Sequence, residues 1–165
     1  MLIQTEINEI DNILNVNRNG LIIAFSNSNE EKKNFVSNIV SNMVIKHNTS
    51  VAVLNSSIGF RGFINACIGK QYESIDKTIY KDVLKEFKNR IKSIANSNLL
   101  VNFASSYNLN ELIEKCKYVK SNKNVKLIVI DKIDTIIDFK DTQTEIFSKL
   151  KELSTTLNVC ILCVC

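Results

Sequence analysis

The sequence contains no proline and no tryptophan, a single histidine and only four glycines among its 165 residues. Composition is otherwise near that of an average globular chain, which excludes collagen, coiled coil and a disordered segment. No linker, repeat or low-complexity tract interrupts the chain. The lone His47 leaves no Ser–His–Asp or Cys–His arrangement for nucleophilic catalysis. Long hydrophobic runs are missing too. The longest, Val159–Cys165 and Leu127–Ile130, are far too short to span a bilayer. Glu6, Glu9 and Asp11 precede any apolar stretch, so the opening does not read as a secretory leader. A cytoplasmic protein with no membrane segment is expected, organised as one domain over 1–165.

The cysteines fit that compartment. Cys67, Cys116, Cys160, Cys163 and Cys165 are odd in number and lack the spacing of a disulfide framework. Cys160-x-x-Cys163 has the spacing of a metal or redox pair. It lies inside an apolar strand pattern, however, and His47 is a poor source of further ligands. Buried thiols acting as small apolar side chains are expected.

The formal net charge is +4, and the excess lies in the middle of the chain. Between 77 and 96, Tyr80, Val83, Leu84, Phe87, Ile91 and Ile94 recur at helical spacing. Lys77, Lys81, Lys85, Lys88 and Lys92 fall on another face. Such a stripe can follow a phosphate backbone; the simpler reading is the solvated side of an amphipathic helix.

Strand and helix patterns alternate along the chain. Strands are expected at 21–25, 51–54, 99–103, 125–130 and 159–165. Helices are expected at about 5–14, 29–47, 59–69, 77–96, 109–120 and 142–157. Strands built almost wholly from Val, Ile, Leu and Cys, separated by helices, predict an α/β fold: a mainly parallel five-stranded sheet with helices on both faces. Function in such sheets gathers at the carboxyl ends of the strands. Here those ends are 26–33, 55–59, 104–108 and 131–134.

Two of these ends have the layout of a nucleotide site. The first strand leads into Ser26, Asn27, Ser28, Asn29, Glu30, Glu31, Lys32 and Lys33. The fourth ends at Asp131. A phosphate loop of the form G-x-x-x-x-G-K-[ST] uses glycines to bring backbone N–H groups around phosphates, a lysine for the terminal phosphates and a hydroxyl for magnesium. Of these, Lys32 is in place, and Asp131 stands where an aspartate would orient the magnesium. The same residues have a simpler reading. Ser28-Asn-Glu-Glu31 is an S-x-x-E capping box, with Ser28 as N-cap. Asp131 can equally bond the next turn.

Resemblance extends over most of the chain. Thr5-Glu-Ile-Asn-Glu-Ile-Asp11 resembles a T-G-F-x-x-L-D opening. Gly20-Leu-Ile-Ile-Ala24 resembles a first strand, and Phe35-Val-Ser-Asn-Ile39 the helix after a phosphate loop. Leu109-Asn-Glu-Leu112 resembles the start of a later helix. Leu127-Ile-Val-Ile-Asp131 matches an L-I-V-I-D strand. Glu145-Ile146, Leu150-Lys-Glu-Leu153 and Leu157-Asn-Val159 resemble E-[IV]-x-x-x-L-K-x-L-A-x-E-L-N-V-P. In this order the segments resemble the C-terminal ATPase domain of the DnaB family of replicative DNA helicases. The resemblance implies a RecA-like P-loop NTPase fold with sheet order 3-2-4-5-1. It implies ATP and Mg²⁺ as ligands, held by the loop from Ser26 to Lys33 and by Asp131.

The departures from the family pattern fall on the chemistry. Ser26 replaces the first loop glycine, Glu31 the second, and Lys33 the Ser/Thr. Ser57 occupies the place of the glutamate that activates water. The family continues past the position of Cys165 with a sensing turn, DNA-binding loops and an arginine finger. The resemblance therefore implies a helicase-like domain associated with DNA replication, with weak ATP–Mg²⁺ binding and no helicase activity by itself. The alternative is a non-enzymatic module docking on a replicative helicase or its loader. Homo-oligomers and weak DNA binding are further expectations.

Overall fold

The computed structural model describes residues 5, 7–16, 18–54, 80–102, 107–133, 136 and 142–165. Five strands form one parallel sheet: β1 (Leu21–Ala24), β2 (Val51–Leu54), β3 (Leu99–Val101), β4 (Leu127–Asp131) and β5 (Cys160–Val164). Their order is β1-β5-β4-β2-β3, which is the expected order read from the other edge. The helices are α1 (Asn8–Val16), α2 (Asn29–Ser41), α3 (Tyr80–Ala95), α4 (Leu109–Lys123) and α5 (Gln143–Leu157).

The sheet is covered on both faces, and alternation along each central strand decides what each face buries. Cys160, Leu162 and Val164 of β5 join Val51, Val53, Leu127 and Val129 beneath Leu14 of α1, Val36, Ile39 and Val40 of α2 and Ile94 of α3. Ile161 and Cys163 join Ala52, Leu54, Ile128 and Ile130 against Leu109, Leu112 and Cys116 of α4 and Ile146 and Leu150 of α5. Every residue of β2, β4 and β5 is buried, as parallel strands between two helical layers require. The edge strands β1 and β3 are half-buried throughout.

Helix ends follow local chemistry. Asn108 and Thr142 are N-caps with full capping boxes to Glu111 and Glu145. Asn124 and Asn158 end α4 and α5 in the left-handed region, at φ 47° and 49°. A short polar side chain tolerates that conformation where glycine is absent. The expected helix over 29–47 is α-helical only to Ser41. It closes in one π-turn, Asn42–Lys46, with the His47 N–H reaching the Asn42 carbonyl at 3.3 Å. His47 lies just after that turn. The first strand stops at Ala24, short of Phe25, which is 75% exposed. On α3, Lys85, Lys88 and Lys92 are exposed, while Ile91 and Ile94 pack inward. That is the amphipathic arrangement. The expected helix at 59–69, the strand ends at 55–59 and 104–106, and Ser57 lie outside the described residues.

Candidate functional site

The carboxyl end of the sheet begins where β1 leaves β5. Cys165 N–H donates to the Ala24 carbonyl at 2.9 Å, and Ser26 N–H donates to the Cys165 carbonyl at 3.2 Å. The ladder therefore carries the chain as far as Ser26, where α2 must begin within three residues. Ser28 is the N-cap of α2, extended at φ −108° and ψ 119°. Its hydroxyl accepts from the Glu31 N–H at 3.3 Å, which satisfies one of the orphan donors of the first turn.

The reciprocal half of the expected capping box is replaced. The Glu31 side chain does not return to the Ser28 N–H. The Ser28 N–H instead donates to the Ser26 hydroxyl at 3.1 Å. That hydroxyl in turn donates to the Glu31 carboxylate at 2.6 Å. Hydrogen bonds to ionised acceptors are the short, strong ones. Ser26, Ser28 and Glu31 thus form a closed set at the start of α2. Sequence reasoning placed Ser28 and Glu31 in one motif but missed Ser26 as the relay between them. The signal was present, since a hydroxyl two residues before the cap stands in reach of both partners.

Asn27, Asn29, Glu30, Glu31 and Lys33 are exposed, and Lys32 is half-buried. Beside the loop is a cavity of about 230 Å³ lined by Ala24, Phe25, Ser26, Glu31, Lys32, Phe35 and Val164. This is smaller than the ~300–1,000 Å³ usual for small-molecule sites. The two phenylalanines and Val164 make its wall largely apolar, a feature that the motif comparison did not anticipate.

Asp131 lies two strands away on the same sheet end. It pairs in register with Val164, which pairs with Ala24. The aspartate is therefore level with the end of β1, at about 10 Å across β5 from strand spacing. Its side chain is buried, at 3% exposure. The next residue, Lys132, turns at φ 55°, so the chain leaves the sheet sharply after the acid. The sheet thus brings Asp131 and the 26–33 loop to one end, in the relation the sequence implied.

The thiols sit elsewhere. Cys160 and Cys163 point into opposite helical layers, so the C-x-x-C spacing cannot hold one ion between them. Burial pushes the thiols of Cys116 and Cys160 up to about 12, and that of Cys163 higher still. They are therefore protonated and poor nucleophiles or ligands. Among the described residues, no group of three or more His, Cys, Asp or Glu is placed to hold a metal.

A parallel sheet in this order, with a loop-and-helix after β1 and a buried acid ending β4, defines a RecA-like α/β domain. The chain belongs to the DnaB-like helicase C-terminal domain family, whose model matches residues 3–165. Among solved structures it is similar to an isolated ATPase domain, at 18% identity and a TM-score of 0.76. That match covers 98% of this chain and 62% of the other. It is also similar to a DnaB-like replicative helicase described with its interactions with primase. There the identity is 19% and the TM-score 0.74, covering 98% of this chain and 42% of the other. The chain thus spans less than two thirds of either relative. A comparison with curated protein sequences finds no match.

Proposed function

We propose that this chain is a replicative-helicase-like domain that takes part in DNA replication without hydrolysing ATP by itself. Membership of the DnaB-like family supports the first half. The hydrogen bond between Ser26 and Glu31 carries the second. In a working phosphate loop the N–H groups at the helix start face the phosphates, and the helix dipole favours their charge. Here the N–H groups of Ser28 and Glu31 are taken by hydroxyls, and a carboxylate lies across the same place. A phosphate brought to about 4 Å from that carboxylate meets roughly 1–4 kcal/mol of repulsion per unit-charge pair.

A triphosphate therefore fits the loop poorly. Were one bound, Lys32 would face its terminal phosphates and Asp131 its magnesium, as the family pattern implies. Bound nucleotide would supply the energy of a motor step. The residues present would do no more than seat it. Titration with a non-hydrolysable ATP analogue and Mg²⁺ tests the reading, with an expected Kd weaker than about 1 mM. Micromolar affinity would overturn it.

A second reading is favoured by Phe25, an exposed aromatic at the rim of the loop cavity. In that reading the domain is a non-enzymatic module that docks on a replicative helicase or its loader, in the cytoplasm, alone or as a homo-oligomer. No helix among the described residues is long and apolar enough to cross a membrane.

A further inference from the structure

At the opposite end of the sheet the charge is of one sign. Three segments meet there around Ser50. Lys126 N–H donates to the Ser50 carbonyl at 2.9 Å, and Val51 N–H to the Asn98 carbonyl at 3.1 Å. The Ser50 hydroxyl lies 3.3 Å from the Asn98 carbonyl and 3.1 Å from that of Lys123. The described stretches 46–50, 92–98 and 118–126 are thereby held as one rim. They contain Lys46, Lys92, Lys120, Lys123 and Lys126 and no aspartate or glutamate.

The helix ends do not account for this charge. The carboxyl ends of α2 with its π-turn, of α3 and of α4 lie on the rim, each equivalent to about −0.5 charge. Five lysines exceed that by more than threefold. Lys120 is committed to the structure. Its ammonium lies 3.2 Å from the Val125 carbonyl and 3.3 Å from that of Asn158, and burial, then Lys126, lowers its pKa. Lys46, Lys92, Lys123 and Lys126 are exposed. One turn up α4 from Asn122, Tyr118 is 61% exposed. An exposed aromatic beside a basic surface is the arrangement that stacks bases while lysines follow a backbone. An acidic peptide would use the charge and leave the ring without a role.

We propose that this amino-terminal rim of the sheet binds single-stranded nucleic acid, with its phosphates on Lys46, Lys92, Lys123 and Lys126 and a base stacked on Tyr118. The surface is separate from the loop at 26–33 and needs no nucleotide.

The test is fluorescence anisotropy of a labelled oligothymidylate of about twenty nucleotides, long enough for one site, with the full chain. Four phosphate contacts on a single strand give a log–log salt slope of about −2.8, so affinity should fall about 50-fold between roughly 50 and 200 mM salt. The double variant Lys123→Ala/Lys126→Ala should weaken binding and flatten the slope by about 1.4. Tyr118→Ala should weaken binding and leave the slope unchanged. Lys32→Ala, at the far end, should change neither. Circular dichroism of each variant checks that these surface changes leave the fold intact. No binding at low salt would overturn the proposal, as would a slope indifferent to the lysine pair. Indifference to Tyr118→Ala, or polyglutamate binding as tightly as the oligonucleotide, would assign the rim to an acidic protein instead.

Discussion

The Ser26 hydroxyl donates a 2.6 Å hydrogen bond to the Glu31 carboxylate, joining the end of β1 to the first turn of α2 across five residues. The bond places negative charge at the positive end of a helix, where it is stabilising. The same charge opposes a phosphate. If this opposition limits affinity, Glu31→Gln should tighten ATP–Mg²⁺ binding by about fivefold or more, corresponding to the roughly 1 kcal/mol of a water-screened charge pair. Calorimetric titration of both forms checks it, and equal affinities would mean that the charge is not what keeps nucleotide away.

The cap itself has a stability role. Ser28→Ala leaves the Glu31 N–H without its acceptor and should cost about 1 kcal/mol, within the 0.5–2 kcal/mol range of N-cap losses. Urea denaturation reads the change as a lower midpoint at constant slope.

The sequence made much of this geometry legible. All-apolar strands at 51–54 and 159–165 could only be buried on two sides, which put the last strand in the interior of the sheet. The alternation of Cys160, Leu162 and Val164 against Ile161 and Cys163 followed from the pleat alone. Asp131 was legible as the end of a strand. Less accessible was anything set by side-chain competition. Ser28-Asn-Glu-Glu31 spelled a reciprocal capping box, yet Ser26 reached the Ser28 N–H first and drew Glu31 to itself. The π-turn at Asn42–Lys46 has no periodic signature to distinguish it from another turn of α-helix. The basic rim was hidden because its lysines come from three segments, at 46, 92 and 123–126, that meet only through the parallel register.

Turnover is the next expectation. With the loop closed on itself and Ser57 in place of the water-activating glutamate of the family pattern, the chain should show no measurable ATPase above background, with or without single-stranded DNA. A coupled phosphate-release assay measures this. Activity that disappears in Lys32→Ala would reveal a working site.

The buried thiols set a pH limit on stability. Burial raises Cys116 and Cys160 from an ordinary 9.0 to about 12 in the folded chain. Unfolded chains release these protons above the ordinary value, while the folded chain retains them. Their contribution is therefore complete below pH 9.0 and is lost progressively as pH rises towards about 12. Each such thiol should remove about 1.4 kcal/mol per pH unit within that window. Denaturation midpoints measured through it should fall, and fall less steeply in Cys160→Ala. In a Cys67→Ser background, only the half-buried Cys165 should react quickly with a thiol reagent at about pH 8, since the thiolate is the reactive form.

The terminal strand is the most demanding test of the fold. β5 pairs with β1 through Ile22 and Leu162 and with β4 through Val129 and Leu162, so Leu162 sits between two neighbours in register. It is 2% exposed and belongs to the apolar layer beneath α1, α2 and α3. Leu162→Ala should cost about 2–5 kcal/mol, a large part of the 5–15 kcal/mol available to an ordinary domain. Removing 159–165 does more. It leaves β1 without its partner and uncovers Val159, Ile161 and Cys163 contacts on α5 and α4, so the sheet is split and not merely shortened. The truncated chain should lose cooperative thermal melting by circular dichroism, whereas Leu162→Ala should melt cooperatively at a lower temperature. A truncation that stays soluble and melts as sharply as the full chain would contradict an interior β5, because no edge strand lost from this sheet could leave β1 attached to it.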